Sequence, residues 1–91
     1  MSDTACLRLT SVLDFRAAQP LKASLLEHRG KPLELDASDV ERFGGLCLQV
    51  LAAARASWAA EGHAFAIANP SEAFSSALTL MGGAEHLGVN P

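Results

Sequence analysis

Apolar and polar residues alternate along Leu7-Arg8-Leu9-Thr10, which predicts a half-buried strand over about Ala5 to Leu13. Asp14 is placed to cap the next element. From about Ala17 to His28 the period lengthens to that of a helix, with Ala18, Leu21, Leu25 and Leu26 on one face. Pro20 is tolerated there in the first turn, where N–H groups have no intrahelical partner. A second strand is read at Leu33 to Ala37: Leu33, Leu35 and Ala37 point one way, Glu34 and Asp36 the other. A polar turn, Ser38 to Arg42, leads to Phe43 and the pair Gly44-Gly45. The alanine-rich stretch Leu46 to Glu61 then places Cys47, Val50, Leu51, Ala54 and Trp58 on one helical stripe. A third strand spans about His63 to Ala68, with Phe65 and Ile67 on one face and only alanines on the other. The last helix opens on Asn69 as N-cap, Pro70 at the first helical position and Glu72 reaching back as in a capping box. Its buried face is read as Ala73, Phe74, Ala77, Leu78 and Met81, and Gly82-Gly83 ends it.

The order β-α-β-α-β-α predicts an α/β fold with a three- to four-stranded, mostly parallel sheet. A fourth short strand is expected from Thr4 or from the region of Ser11-Val12. Strands buried on both faces read as continuous apolar runs, and these alternate instead. The helices are therefore expected mainly on one face, with Glu34 and Asp36 on the open one. Leu35, Val50, Leu51, Phe65, Ile67 and Phe74 are the expected core.

Composition narrows the class without naming a function. The 91 residues are expected to form one domain over 1–91, and the 49% hydrophobic content fits a globular core. A net charge of -3 with no basic patch argues against a nucleic-acid partner. No apolar run approaches the ~20 residues of a membrane span, and the acidic start is unlike a signal peptide. Cys6 and Cys47 fall in expected core elements, the usage of buried thiols in a reducing cytoplasm. The tail, Ala84 to Pro91, is short for a further strand and helix.

Candidate chemistry is sparse. His28, His63 and His86 lie on separate elements without metal-ligand spacing, so no metal or other cofactor is expected. No Gly-x-Ser-x-Gly elbow offers a nucleophile. Asp14, Asp36 and Asp39 sit at strand ends, where they either converge for metal or acid–base work or simply cap and turn the chain. Gly44-Gly45 opens a helix, which either exposes backbone N–H groups to an anion or answers a need for positive φ or close packing. Cys47 beside a helix start is either an activated thiol or a small core residue.

The stretch from Leu33 to Glu61 resembles the motif of STAS domains, the anti-sigma factor antagonist family. That motif is an aliphatic strand, an acidic residue or Asn, a short turn, and Asp-Ser/Thr-x-Gly-Leu opening a helix. Leu35-Asp36-Ala37-Ser38-Asp39-Val40-Glu41-Arg42 resembles the strand end and turn, and Phe43 takes the apolar slot. Gly44 then falls on the Asp, Gly45 on the phosphorylatable Ser or Thr, Cys47 on the Gly and Leu48 on the Leu, with Gln49 continuing the helix. Leu7 to Asp14 is similar to the family's first core strand, and Asn69 to Phe74 to the helix start after its next strand. The resemblance spans roughly Leu7 to Met81 and lacks the hydroxyl on which the family's switch turns.

The resemblance implies a non-catalytic, cytoplasmic interaction domain of bacterial signalling, of the anti-sigma-antagonist type or associated with chemotaxis. It would bind a serine-kinase-type or other signalling protein through the corner of Asp36, Ser38, Asp39, Phe43, Gly44, Gly45 and Gln49. With Gly45 in the phosphosite position, docking would be constitutive. The alternative it implies is a small cytoplasmic subunit of a lipid-trafficking ABC transporter, although such subunits usually keep a Thr where this chain has Gly45. A third class, a small enzyme or ligand-binding domain using the acidic corner, has no motif to support it. The oligomeric state is left open.

Overall fold

The computed structural model describes Thr4 to Gly83. Residues 84–91, and with them His86 and the tail, lie outside the described residues. The elements in order are β1 (Ala5–Arg8), β2 (Val12–Leu13), a 3₁₀ turn (Phe15–Ala17), α1 (Ala18–Glu27), β3 (Leu33–Asp36), β4 (Arg42–Phe43), α2 (Gly45–Ala60), β5 (Phe65–Ala68) and α3 (Glu72–Leu80).

The main sheet has the order β1-β3-β5 and is parallel throughout. Its register sets Leu7, Leu35 and Ile67 in one row and Arg8, Asp36 and Ala68 in the next. Side chains alternate across a strand, so the first row faces the helices and the second faces away. Leu33 and Leu35 are buried while Glu34 and Asp36 are half-buried, as the alternation predicts for helices on one face. Phe65, Ile67 and Val50 are only partly buried and pack against the edge of the core. Its centre is Leu33, Leu35, Leu51, Trp58, Phe74 and Leu78.

The first predicted strand is in fact two. β1 stops at Arg8, and Val12–Leu13 leaves the main sheet to pair in parallel with Arg42–Phe43. The expected turn Ser38–Arg42 thus ends in a strand, β4. Backbone pairing makes this necessary: the Glu41 and Arg42 N–H groups both donate to the Ser11 carbonyl, at 2.7 and 3.0 Å, and the Gly44 N–H donates to the Leu13 carbonyl at 2.9 Å.

Two further expectations are corrected. Asn69 does not cap α3. It sits at φ 52°, a left-handed turn position that Asn tolerates, and Ser71 is the N-cap. The Ser71 hydroxyl accepts from the Phe74 N–H at 3.0 Å and donates to the Val40 carbonyl. Pro70 and Glu72 accordingly fall outside the capping-box positions, and Met81 is an exposed C-cap rather than a core residue. Cys6 is exposed on the open sheet face, whereas Cys47 is buried.

Candidate functional site

The corner between β3 and α2 is built by three short-range devices. At the end of β3 the Asp36 carboxylate accepts the Ser38 N–H at 3.0 Å, an Asx turn that bends the chain out of the sheet. The hydrogen bonds from the Ser38 backbone and hydroxyl, aided by the Arg8 charge, hold the Asp36 carboxyl below its usual range. Arg8 on the neighbouring strand lies 3.7 Å from Asp36 and 3.6 Å from Asp39, linking both carboxylates across the open face. Exposed pairs at such distances add little stability, so their effect is to orient the turn.

The second device is Val40 and Phe43. Both are buried, so the turn is anchored while Ser38, Asp39, Glu41 and Arg42 stay exposed. The third is the junction of α2 with the 3₁₀ turn. Cys47 Sγ donates to the Asp14 carbonyl at 3.3 Å, and burial pushes its thiol pKa up, with the Asp14 charge adding to the effect. A raised pKa in the core removes thiolate character, so Cys47 is a packing residue. Asp14 itself caps the 3₁₀ turn through the Arg16 N–H at 3.0 Å. Burial raises its pKa, but the Arg16 hydrogen bonds and charge outweigh this and the net shift is downward.

Of the expected corner residues, the structure brings together Asp36, Ser38 and Asp39 on the turn and Gly44, Gly45 and Gln49 at the start of α2. Phe43 lies beneath them in the core and can act on a partner only by holding the corner in place. Asp14 joins Arg16, not Asp36 and Asp39, so the three carboxylates do not converge. Among the described residues no group of three His, Cys, Asp or Glu side chains is placed to hold a metal ion, and no helix is long and apolar enough to cross a membrane.

Neither glycine is demanded by backbone strain or crowding, although Gly44 stands at the N-cap of α2, where glycine is favoured over alanine. Gly44 has φ -103° and ψ 168°, extended backbone open to any residue, and Gly45 is not in the left-handed region. A Cβ on Gly44 would meet the Leu13 carbonyl oxygen at 3.6 Å, and one on Gly45 would meet Met81 Sδ at 3.9 Å, both ordinary contacts. The pair leaves a bare helix start, with no side chain capping it and no acid in its first turn.

The segments that border that bare start carry exposed apolar residues, a loose collar that periodicity alone did not single out. Leu46 follows Gly45, Met81 approaches it, Leu80 is next to Met81 and is 88% exposed, and Phe15 adjoins the Asp14 carbonyl bound by Cys47. Phe15 is 73% exposed. The available signal was the apolar pair Leu80-Met81 at a helix end and an aromatic residue directly after a capping Asp.

A three-stranded parallel sheet with helices on one face and a strand-turn-helix corner of this kind defines a small two-layer α/β fold. A STAS-domain family model described as "Mlab, STAS domain" matches residues 2–88. The chain belongs to the STAS family. The NMR structure of the protein TM1081 superposes with a TM-score of 0.74 over 99% of this chain and 75% of that one, at 23% identity, which shows the shared fold. No match was found among curated proteins.

Proposed function

We propose that this chain is a non-catalytic docking domain of bacterial signalling that binds a serine-kinase-type or other signalling protein at the β3–α2 corner, without phosphate control. The observation that carries the reading is the glycine pair. Gly45, the first residue of α2, forgoes alanine's helix preference of a few tenths to about 1 kcal/mol, and here neither backbone strain nor crowding offsets it. A partner's backbone approaching the helix start would explain it, and the collar of Phe15, Leu46, Leu80 and Met81 supplies apolar contact around that approach. In the family's switch a phosphate on the hydroxyl at this position blocks docking through charge and desolvation. Gly45 has no hydroxyl, so control would pass to expression, competition or the partner itself.

The test is affinity capture from the source cell with the wild-type chain and with Gly45→Glu, both checked for folding by circular dichroism. A kinase or other signalling protein retained by the wild type and lost by the variant supports the reading. Equal capture by both moves the partner to another surface, first the open sheet face of Glu34 and Asp36. Capture of a transporter ATPase in its place favours the ABC-subunit alternative.

A further inference from the structure

A second surface lies along the outer side of the two sheet-packing helices. α1 and α2 each connect parallel strands, so they run parallel to one another. Between them lies a trough of about 290 Å³. Leu25, Leu26, Leu46, Val50 and Ala53 form much of its apolar lining, over the nearly buried Trp58. Its α2 wall carries small side chains, Ala53, Ala54 and Ser57, which let another backbone approach closely. From Leu46 to Ser57 the wall runs for about 16 Å, three turns of helix.

The charge of this trough sets it apart from the rest of the chain. The protein carries a net charge of -3, yet the trough's lining includes Lys22 and Arg29 and no acid. Arg29 is joined to Glu61 at 3.1 Å at the C-terminal ends of the helices. Lys22, midway along α1, enters none of the ion pairs among the described residues. The helix dipole of α2 adds positive character at the Leu46 end of the trough.

We propose that the α1–α2 trough receives an amphipathic helix of a partner protein, about three turns long, with an apolar stripe and an acidic residue that meets Lys22. The three-turn span of the α2 wall and its apolar lining fit a helix laid in a groove. The free cation selects an acidic partner. A second copy of this chain fits poorly, because packing trough on trough sets Lys22 and Arg29 against the same cations. The inference rests on the proposed role as an interaction domain but uses a different surface, with Leu46 and Gln49 as the residues common to both.

Two soluble helical peptides with the same leucine stripe, one flanked by Glu and one by Lys, test it by titration against the ¹⁵N-labelled full chain, with a scrambled-stripe peptide and dodecanoate as further probes. The acidic peptide should shift the amides of Lys22, Leu26, Val50 and Ala53 and bind about three-fold more tightly than the basic one, the size of one exposed charge pair. Lys22→Glu should reverse that preference. Ala53→Trp, a change at an exposed position that fills the trough, should abolish the shifts. Gly45→Glu should leave them intact, so that failure of the corner and failure of the trough are read separately. Equal affinity for both peptides, binding of the scrambled peptide as tight as the acidic one, shifts confined to the sheet face, or occupation by dodecanoate alone would each overturn the proposal.

Discussion

Phe43 and Phe74 stack with ring centroids 4.5 Å apart and planes inclined by 29°. The contact joins the residue just before the glycine pair to the first turns of α3, so the candidate corner and the last helix form one packed unit. α3 is otherwise held there by backbone pairing, its Ser71 N–H donating to the Ala37 carbonyl at 3.1 Å. Phe74 is fully buried, and its replacement by Ala removes both the ring contact and the packing of α3 on β4. The expected cost of Phe74→Ala is roughly 3–5 kcal/mol. Chemical denaturation measures it, and a loss near zero would show that α3 is not packed onto the corner.

The Ser71 cap gives a second prediction. Its hydroxyl joins the Phe74 N–H to the Val40 carbonyl, bridging the start of α3 to the turn after β3. Ser71→Ala should cost about 1–2 kcal/mol, near the upper end for a lost cap because a second partner is also lost. Asn69→Ala should cost less, since Asn69 does not serve as the cap. Equal losses from the two variants would contradict this assignment.

At the other end of α3 the Gly83 N–H closes the helix on the Leu78 carbonyl at 2.9 Å. A Cβ on Gly83 would stand 2.7 Å from Leu48 Cδ2 and 2.9 Å from Leu78 Cδ1. Both are ends of side chains, which can yield, so Gly83→Ala should destabilise by about 1 kcal/mol, at the low end of overpacking costs. Gly83→Val should cost more. A thermal melt of the two variants orders them, and an unchanged melting temperature for the valine variant would rule out the close approach.

Acid should act through Asp36 and Asp14. Both folded-state pKa values lie below the ordinary aspartate value of 3.8, so each group binds protons more readily unfolded than folded. Their contribution to stability is fully present above about pH 5 and is lost as pH falls through 3.8 towards the lower folded values. Asp36→Asn should therefore flatten the fall of melting temperature between about pH 5 and pH 2. An identical pH profile for the variant would mean that the Ser38 turn does not hold the ionised carboxylate.

The sheet and its polarity were legible because alternation carried them: Leu33 and Leu35 against Glu34 and Asp36 fixes which face is buried. The helices were legible from the 3.6-residue period of Cys47, Leu51, Ala54 and Trp58. Short-range signals failed where tertiary pairing decided the outcome. Arg42–Phe43 is two residues long, too short for any period, and becomes a strand only because Ser11 and Leu13 supply carbonyls from a distant segment. Asn69-Pro70 reads as a helix start, yet Ser71 wins the cap because its hydroxyl also reaches Val40. Leu80 and Met81 continue the apolar pattern of α3 but run past the core, so they join the exposed collar. Phe43 was legible as part of the motif but not as a core residue, since its burial depends on Phe74.

The bare start of α2 gives the last prediction, and it separates fold from function at one atom. Gly45 occupies the first helical position, and a Cβ there would make only an ordinary contact, 3.9 Å from Met81 Sδ. Alanine restricts the unfolded chain more than glycine does and favours the helix, so Gly45→Ala should stabilise by a few tenths to about 1 kcal/mol. If the pair is kept for the approach of a partner, the same variant should bind that partner more weakly while being more stable, and Gly45→Glu should bind more weakly still through steric clash and buried charge. The paired measurement is denaturation of each variant beside its affinity for the captured partner. Stability and affinity moving in opposite directions places the reason for Gly45 in docking. A destabilised Gly45→Ala would show that the glycine serves the fold after all, and would remove the argument that locates the partner at this corner.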